Sequence, residues 1–118
     1  MILIIIRFIY VAGGFDGSEI LDTIERYDIA NNTWEVLEMK LEMPLQSFSI
    51  YNLIPGRIVA VGGESSVQFF QHITQYDVET KRIDYLSELE SKSPTSSIMF
   101  KNKILVFGVS LLLIFCTF

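Results

Sequence analysis

An apolar run that climbs into a pair of glycines occurs twice in this chain, 49 residues apart. The copies are Ile9-Tyr10-Val11-Ala12-Gly13-Gly14 and Ile58-Val59-Ala60-Val61-Gly62-Gly63. A worn third copy, Ile104-Leu105-Val106-Phe107-Gly108-Val109, follows 46 residues after the second. A fixed period of this length constrains the fold more than composition does. Each copy must be one supersecondary unit that buries its apolar face against a neighbour. Other residues keep the register. Tyr27-Asp28 and Tyr76-Asp77 are also 49 apart, each tyrosine 13 positions after the second glycine, and Trp34 lies seven beyond Tyr27.

Gly13-Gly14, Tyr27 and Trp34, with Gly62-Gly63 and Tyr76 in the second copy, resemble the kelch repeat. The unit of that repeat is about 50 residues and forms one four-stranded blade of a β-propeller. The similarity runs from about Phe8 to Gly108. Two positions depart from it: Ile83 stands where a second tryptophan belongs, and Val109 replaces the third copy's second glycine. The resemblance implies that the glycines are structural and that the aromatic residues pack within and between blades. In a closed ring, Trp34→Ala is expected to cost about 3–5 kcal/mol.

Apolar runs and turn residues predict strands at 8–14, 24–29 and 33–37, then at 47–52, 57–63, 72–78 and 82–87, then at 95–101 and 104–109. No stretch reads as a helix. The expected fold is all-β: an incomplete kelch-type β-propeller of about two to three four-stranded antiparallel blades within residues 1–109. It comprises a partial blade over about 8–38, a full blade over about 47–88 and a partial blade over about 95–109. Nine strands do not close a ring of about four to eight blades. Both ends should therefore present unpaired edges and apolar faces. A piece of a larger propeller, a truncated product and a chain that completes its ring with further blades or other chains all fit. The apolar tail, 110–118, carries no repeat-like strand and is assigned no role.

Composition excludes several functions. A net charge of −5 disfavours a nucleic-acid surface, which needs stripes of Lys and Arg. Cys116, the one cysteine, excludes an internal disulfide framework and suits a reducing compartment, so a cytoplasmic location is expected. His72, the one histidine, leaves little for a histidine-based metal site. Residues 1–6 are apolar, but Arg7 interrupts them and no basic residue precedes them, unlike a signal peptide. The apolar stretch after Lys103 is shorter than the roughly 20 residues a spanning helix needs, so membrane attachment is not expected.

No residue set reads as catalytic or cofactor-binding. The glycine pairs lack the G-x-G-x-x-G pattern and the following helix of a phosphate loop. Asp28 and Asp77 fall on different blades and suit turn bonds at strand ends. Cys116 has no base nearby in sequence. The connecting loops are the better place for function. Antiparallel order puts the long connections, 15–23, 38–46, 64–71 and 88–94, on one side. They concentrate the chain's net acidity through Asp16, Glu19, Asp22, Glu38, Glu42, Glu64, Glu88 and Glu90. With Phe69 and Phe70 as aromatic anchors, this face would attract a protein partner with a basic segment. The expected function is a non-catalytic protein-interaction module or scaffold. The family resemblance implies substrate-recruiting adaptors or cytoskeleton-associated proteins as settings. Its alternatives are a fragment of a kelch-like propeller enzyme, of oxidase or isomerase type, and a membrane-tethered fragment.

Overall fold

In the computed structural model, residues 7–70, 72–88, 96–100, 103–107 and 114–117 are described. They form three antiparallel meanders. The first sheet holds β1 (Phe8–Ala12), β2 (Thr23–Asp28) and β3 (Thr33–Lys40). The second is a full four-stranded blade of β4 (Ser49–Ile54), β5 (Arg57–Val61), β6 (His72–Asp77) and β7 (Arg82–Glu88). The third holds β8 (Ser96–Phe100), β9 (Lys103–Phe107) and β10 (Ile114–Thr117). The assembly is flat, 43 × 42 × 23 Å, as expected of blades fanned about an axis.

The glycine pairs end their strands early. Gly13 and Gly14 have φ of +61° and +98°, outside extended geometry, so β1 stops at Ala12 rather than at 14. Gly62 and Gly63 act likewise after Val61. The conformation serves a contact between segments. The Gly14 N–H donates to the Leu45 carbonyl at 2.8 Å, pulling the link that follows β3 down onto the glycines. A Cβ on Gly13 would lie 2.4 Å from that carbonyl oxygen. Leu41 and Leu45 of the link are buried, so this connection is part of the core.

The repeat shows again in the turns. Asp28 accepts from the Ala30 and Asn31 N–H groups, and Asp77 from those of Glu79 and Thr80. Asn32 and Lys81, 49 apart, both adopt positive φ to complete the tight hairpins. Asparagine suits that geometry and lysine tolerates it poorly. The register slips at equivalent places too, between Thr23 and Glu25 in one blade and Ile73 and Thr74 in the next.

Arg7, bonded to Asp28 at 3.1 Å, together with Asn31, holds the Asp28 carboxyl down to about 2. Because the folded pKa is depressed, the contribution is complete above the ordinary carboxylate value of about 3.9 and is lost as pH falls through about 2. Asp28→Asn should therefore melt below the wild type at pH 6, with the gap closing by pH 2. A gap that persists at pH 2 would place the stabilisation elsewhere.

Packing follows the two-residue period of the strands. The first sheet turns Tyr10, Ala12 and Ile24 toward the second, which answers with Ile50, Ile58, Ala60 and Tyr76. The second sheet's opposite face, Val59, Val61 and Ile73, packs against Ile104 of the third. The Tyr51 hydroxyl reaches Ser97 Oγ across this second interface at 2.7 Å.

Three expectations need correction. The chain has ten strands among the described residues, because the tail supplies β10, whose Ile114–Thr117 pair with Val106–Lys103 of β9. Second, β3 runs to Lys40, so Glu38 belongs to a strand rather than to a link. Third, Trp34 is not buried. Tyr76 is 1% exposed and Trp34 61%. Trp34 pairs with Tyr27 at a ring separation of 5.1 Å, on the face of the first sheet that no described sheet covers. The corresponding Ile83 is 42% exposed although its sheet is packed against the first, so this repeat position does not show the full burial that a cost of about 3–5 kcal/mol requires.

Candidate partner-binding face

Residues 13–22 and 62–70 leave the same side of their sheets and fold into matching small hairpins. Phe15 bridges Ile20 in one, and Glu64 bridges Phe69 in the other. Each tip is tied by one side chain at the same repeat position. Asp16 Oδ1 accepts from the Ser18 and Glu19 N–H groups, both at 2.8 Å. Ser65 Oγ accepts from Val67 and Gln68 at 3.3 and 3.1 Å. These bonds, the Glu19 N–H first, hold the Asp16 carboxyl below its usual range. Local bonding of this kind makes the loops firm platforms.

The acidic residues divide by what they touch. Asp16 is occupied in its turn. Asp22 pairs with Lys40 at 3.7 Å. Glu38 pairs with Lys81, which comes from a turn on the other side of the molecule and lowers the Glu38 pKa. Glu88 ends β7 beside Tyr85, raising that phenol's pKa further after desolvation has done so. Glu90 lies outside the described residues. Glu42 leaves its carboxylate exposed while its N–H donates to Tyr76 Oη at 3.3 Å. Glu19, Glu42 and Glu64 make no ion pair among the described residues.

The two aromatic candidates separate. Phe69 is 40% exposed, but Phe70 is 8% exposed and belongs to the core between the first and second sheets. Phe70 also stands edge-on to His72 at 4.7 Å, and Tyr85 stands on that ring's other side at 4.7 Å, its hydroxyl 3.0 Å from Nδ1. His72 is therefore a packed strand residue, and no group of three or more metal-ligating side chains occurs among the described residues. Phe70 is a core residue rather than an anchor because it follows the hairpin's closing bridge and turns inward.

Two exposed apolar residues were not picked out by sequence reasoning. Phe15 stands at the base of the first hairpin and Val67, 86% exposed, at the tip of the second. Their signal was available: each is a large apolar side chain inside a hairpin loop, where nothing in the repeat requires one. Together with Phe69 they give the face an apolar component beside Glu19 and Glu64.

On the opposite side a groove of about 560 Å³ runs between β3 and the β6–β7 turn. Two ion pairs lie within it: Arg26 meets Glu35 at 2.9 Å and lies over the Phe8 ring at 4.4 Å, and Lys81 meets Glu38; Glu79 lines it as well. Among the described residues no convergent set of unpaired polar groups marks it as a ligand pocket.

Comparison with known proteins bears on the architecture. The sequence profile of the kelch motif matches residues 9–38. No curated protein matches the sequence significantly. Among solved structures, that of YjhT superposes with a TM-score of 0.71 at 13% identity, over 89% of this chain and 42% of that one. The chain thus spans less than half of that structure's length, and at this identity the likeness concerns fold alone. Motif, repeat register and superposition agree on a kelch motif at residues 9–38 within an all-β array of blades that does not close, with the fold of part of a β-propeller.

Proposed function

We propose that the chain is a non-catalytic protein-interaction module whose long-connection face binds a partner segment that is both basic and apolar. The observation that carries this reading is the company kept by Phe15, Val67 and Phe69. They are exposed on two firm hairpins of one face, beside the carboxylates of Glu19 and Glu64, which make no ion pair among the described residues. Apolar anchors in such a setting supply binding energy, and the surrounding charge sets on-rate and partner choice. A cytoplasmic scaffold, recruiting a substrate or joining the cytoskeleton, is the setting this chemistry suits. Binding of a synthetic Lys/Arg-rich peptide carrying leucines tests it. Glu19→Gln with Glu64→Gln should weaken binding about tenfold at low salt and flatten its salt dependence. Phe15→Ser with Val67→Ser should weaken it at every salt concentration. Binding unchanged by both pairs would refute the assignment of this face.

A further inference from the structure

The face of the first sheet that turns away from the second is built like an interface. Register places Ile9, Tyr27 and Trp34 in one cross-strand row, and Val11, Glu25 and Val36 in the next. The 49-residue repeat maps these rows onto Ile58, Tyr76 and Ile83, and onto Ala60, Thr74 and Tyr85, which are paired in the same way. In the second sheet the β5–β6 part of that surface is closed, Ile58 being 2% and Tyr76 1% exposed under the Tyr10, Ala12 and Ile24 side of the first sheet, while Ile83 and Tyr85 on β7 stay exposed. In the first sheet the same surface is open, and Ile9 is 49% exposed. The molecule therefore contains, one repeat along, an example of what covers this face: the outgoing side of another blade.

The third sheet carries such a side. Tyr51 and Val59 of the second sheet, which face the third, correspond by register to Ile98 and Leu105. Ile98 is exposed and Leu105 half-buried. The order of packing, first sheet to second and second to third, then continues from the third sheet to the first sheet of another copy. We infer that the open Ile9-Val11-Tyr27-Trp34-Val36 face docks on the Ile98-Leu105 face of a second copy, and that two copies join head to tail twice to close a ring of six sheets. Six lies within the usual range of about four to eight blades. A head-to-tail contact that closes gives a finite ring, and one that does not close gives filaments. Glu25 places a carboxylate in the middle of the open face, and its counterpart in the covered interface is the buried Thr74.

Sedimentation equilibrium of the 118-residue chain tests this, with Trp34 fluorescence as an internal probe. The inference predicts a dimer whose dissociation on dilution is accompanied by a red shift of the lone tryptophan. Val11→Lys and Ile98→Lys should each give monomers, because each damages both contacts of the ring. Mixing the two variants leaves one contact intact and should restore a dimer, which also shows that both variants fold. Glu25→Thr, copying the internal interface, should tighten the dimer about tenfold. A wild-type chain that is monomeric, that grows into filaments, or that dimerises with no change at Trp34 would overturn the inference. So would a chain in which Val11→Lys abolishes the dimer and Ile98→Lys does not, since that pattern marks two first sheets meeting face to face.

Discussion

Gly13→Ala is expected to destabilise the chain by about 4 kcal/mol, and Gly14→Ala, one residue on, by about 1 kcal/mol. Both positions have positive φ, so both substitutions carry backbone strain. They differ in surroundings. An added Cβ at Gly14 meets nothing within 4 Å, whereas at Gly13 it falls 2.4 Å from the Leu45 carbonyl oxygen and 2.8 Å from the Phe48 ring. The Leu45 carbonyl cannot retreat cheaply. It accepts the Gly14 N–H, while the Leu45 N–H donates to Leu21 and the Leu45 side chain is buried without residual exposure. Moving it would pull the whole link off the interface between the first two sheets. Urea unfolding of the two variants measures the contrast. Equal losses would mean that the cost is backbone conformation alone and that the close approach is not a constraint.

Tyr76→Ala should cost about 4 kcal/mol, near the range for removing a buried aromatic side chain. Tyr76 is the largest of the fully buried side chains and stands in the interface between the first two sheets. Its hydroxyl accepts the Glu42 N–H, fixing the same link from the other side, and burial raises its pKa. Tyr76→Phe isolates that bond and should cost about 1 kcal/mol. Tyr27→Ala, at the equivalent position on the open face, should cost clearly less than Tyr76→Ala in the monomer. If the two alanine variants melted together, burial between blades would not be what distinguishes the repeats.

Much of this architecture was legible in the sequence because it is periodic. A glycine pair, a tyrosine and an aspartate recurring at one spacing place β1 against β5 and β2 against β6 without any three-dimensional information. The turn role of Asp28 and Asp77 followed from the same recurrence. What escaped is what the period does not carry. Leu41 and Leu45 lie in an irregular link, and no alternation marks them as core. Phe70 and Phe69 are neighbours, and only the bridge between Glu64 and Phe69 decides which turns inward. Glu38 counted as loop acidity until its strand and its partner Lys81, 43 residues away, were placed. Trp34 is the instructive case: the repeat places it on a blade's packing face, but on the outer strand, where the corresponding Ile83 stays 42% exposed even with a neighbouring sheet in place. The candidate site was legible as a face, through the antiparallel order of strands. Its apolar members Phe15 and Val67 show in the sequence only as large apolar residues inside loops, since no repeat position calls for them.

Hydrogen exchange across the ten strands tests the blade architecture most directly. The amides of β5 and β6, whose residues are covered from both sides, should exchange slowest, at the rate of global unfolding. Those of β3 and β7, the outermost strands with mostly exposed side chains, should exchange faster by an order of magnitude or more. Protection as strong in β3 and β7 as in β5 and β6, or no slow amides in β5 and β6, would contradict an array of blades stacked face to face about an inner axis.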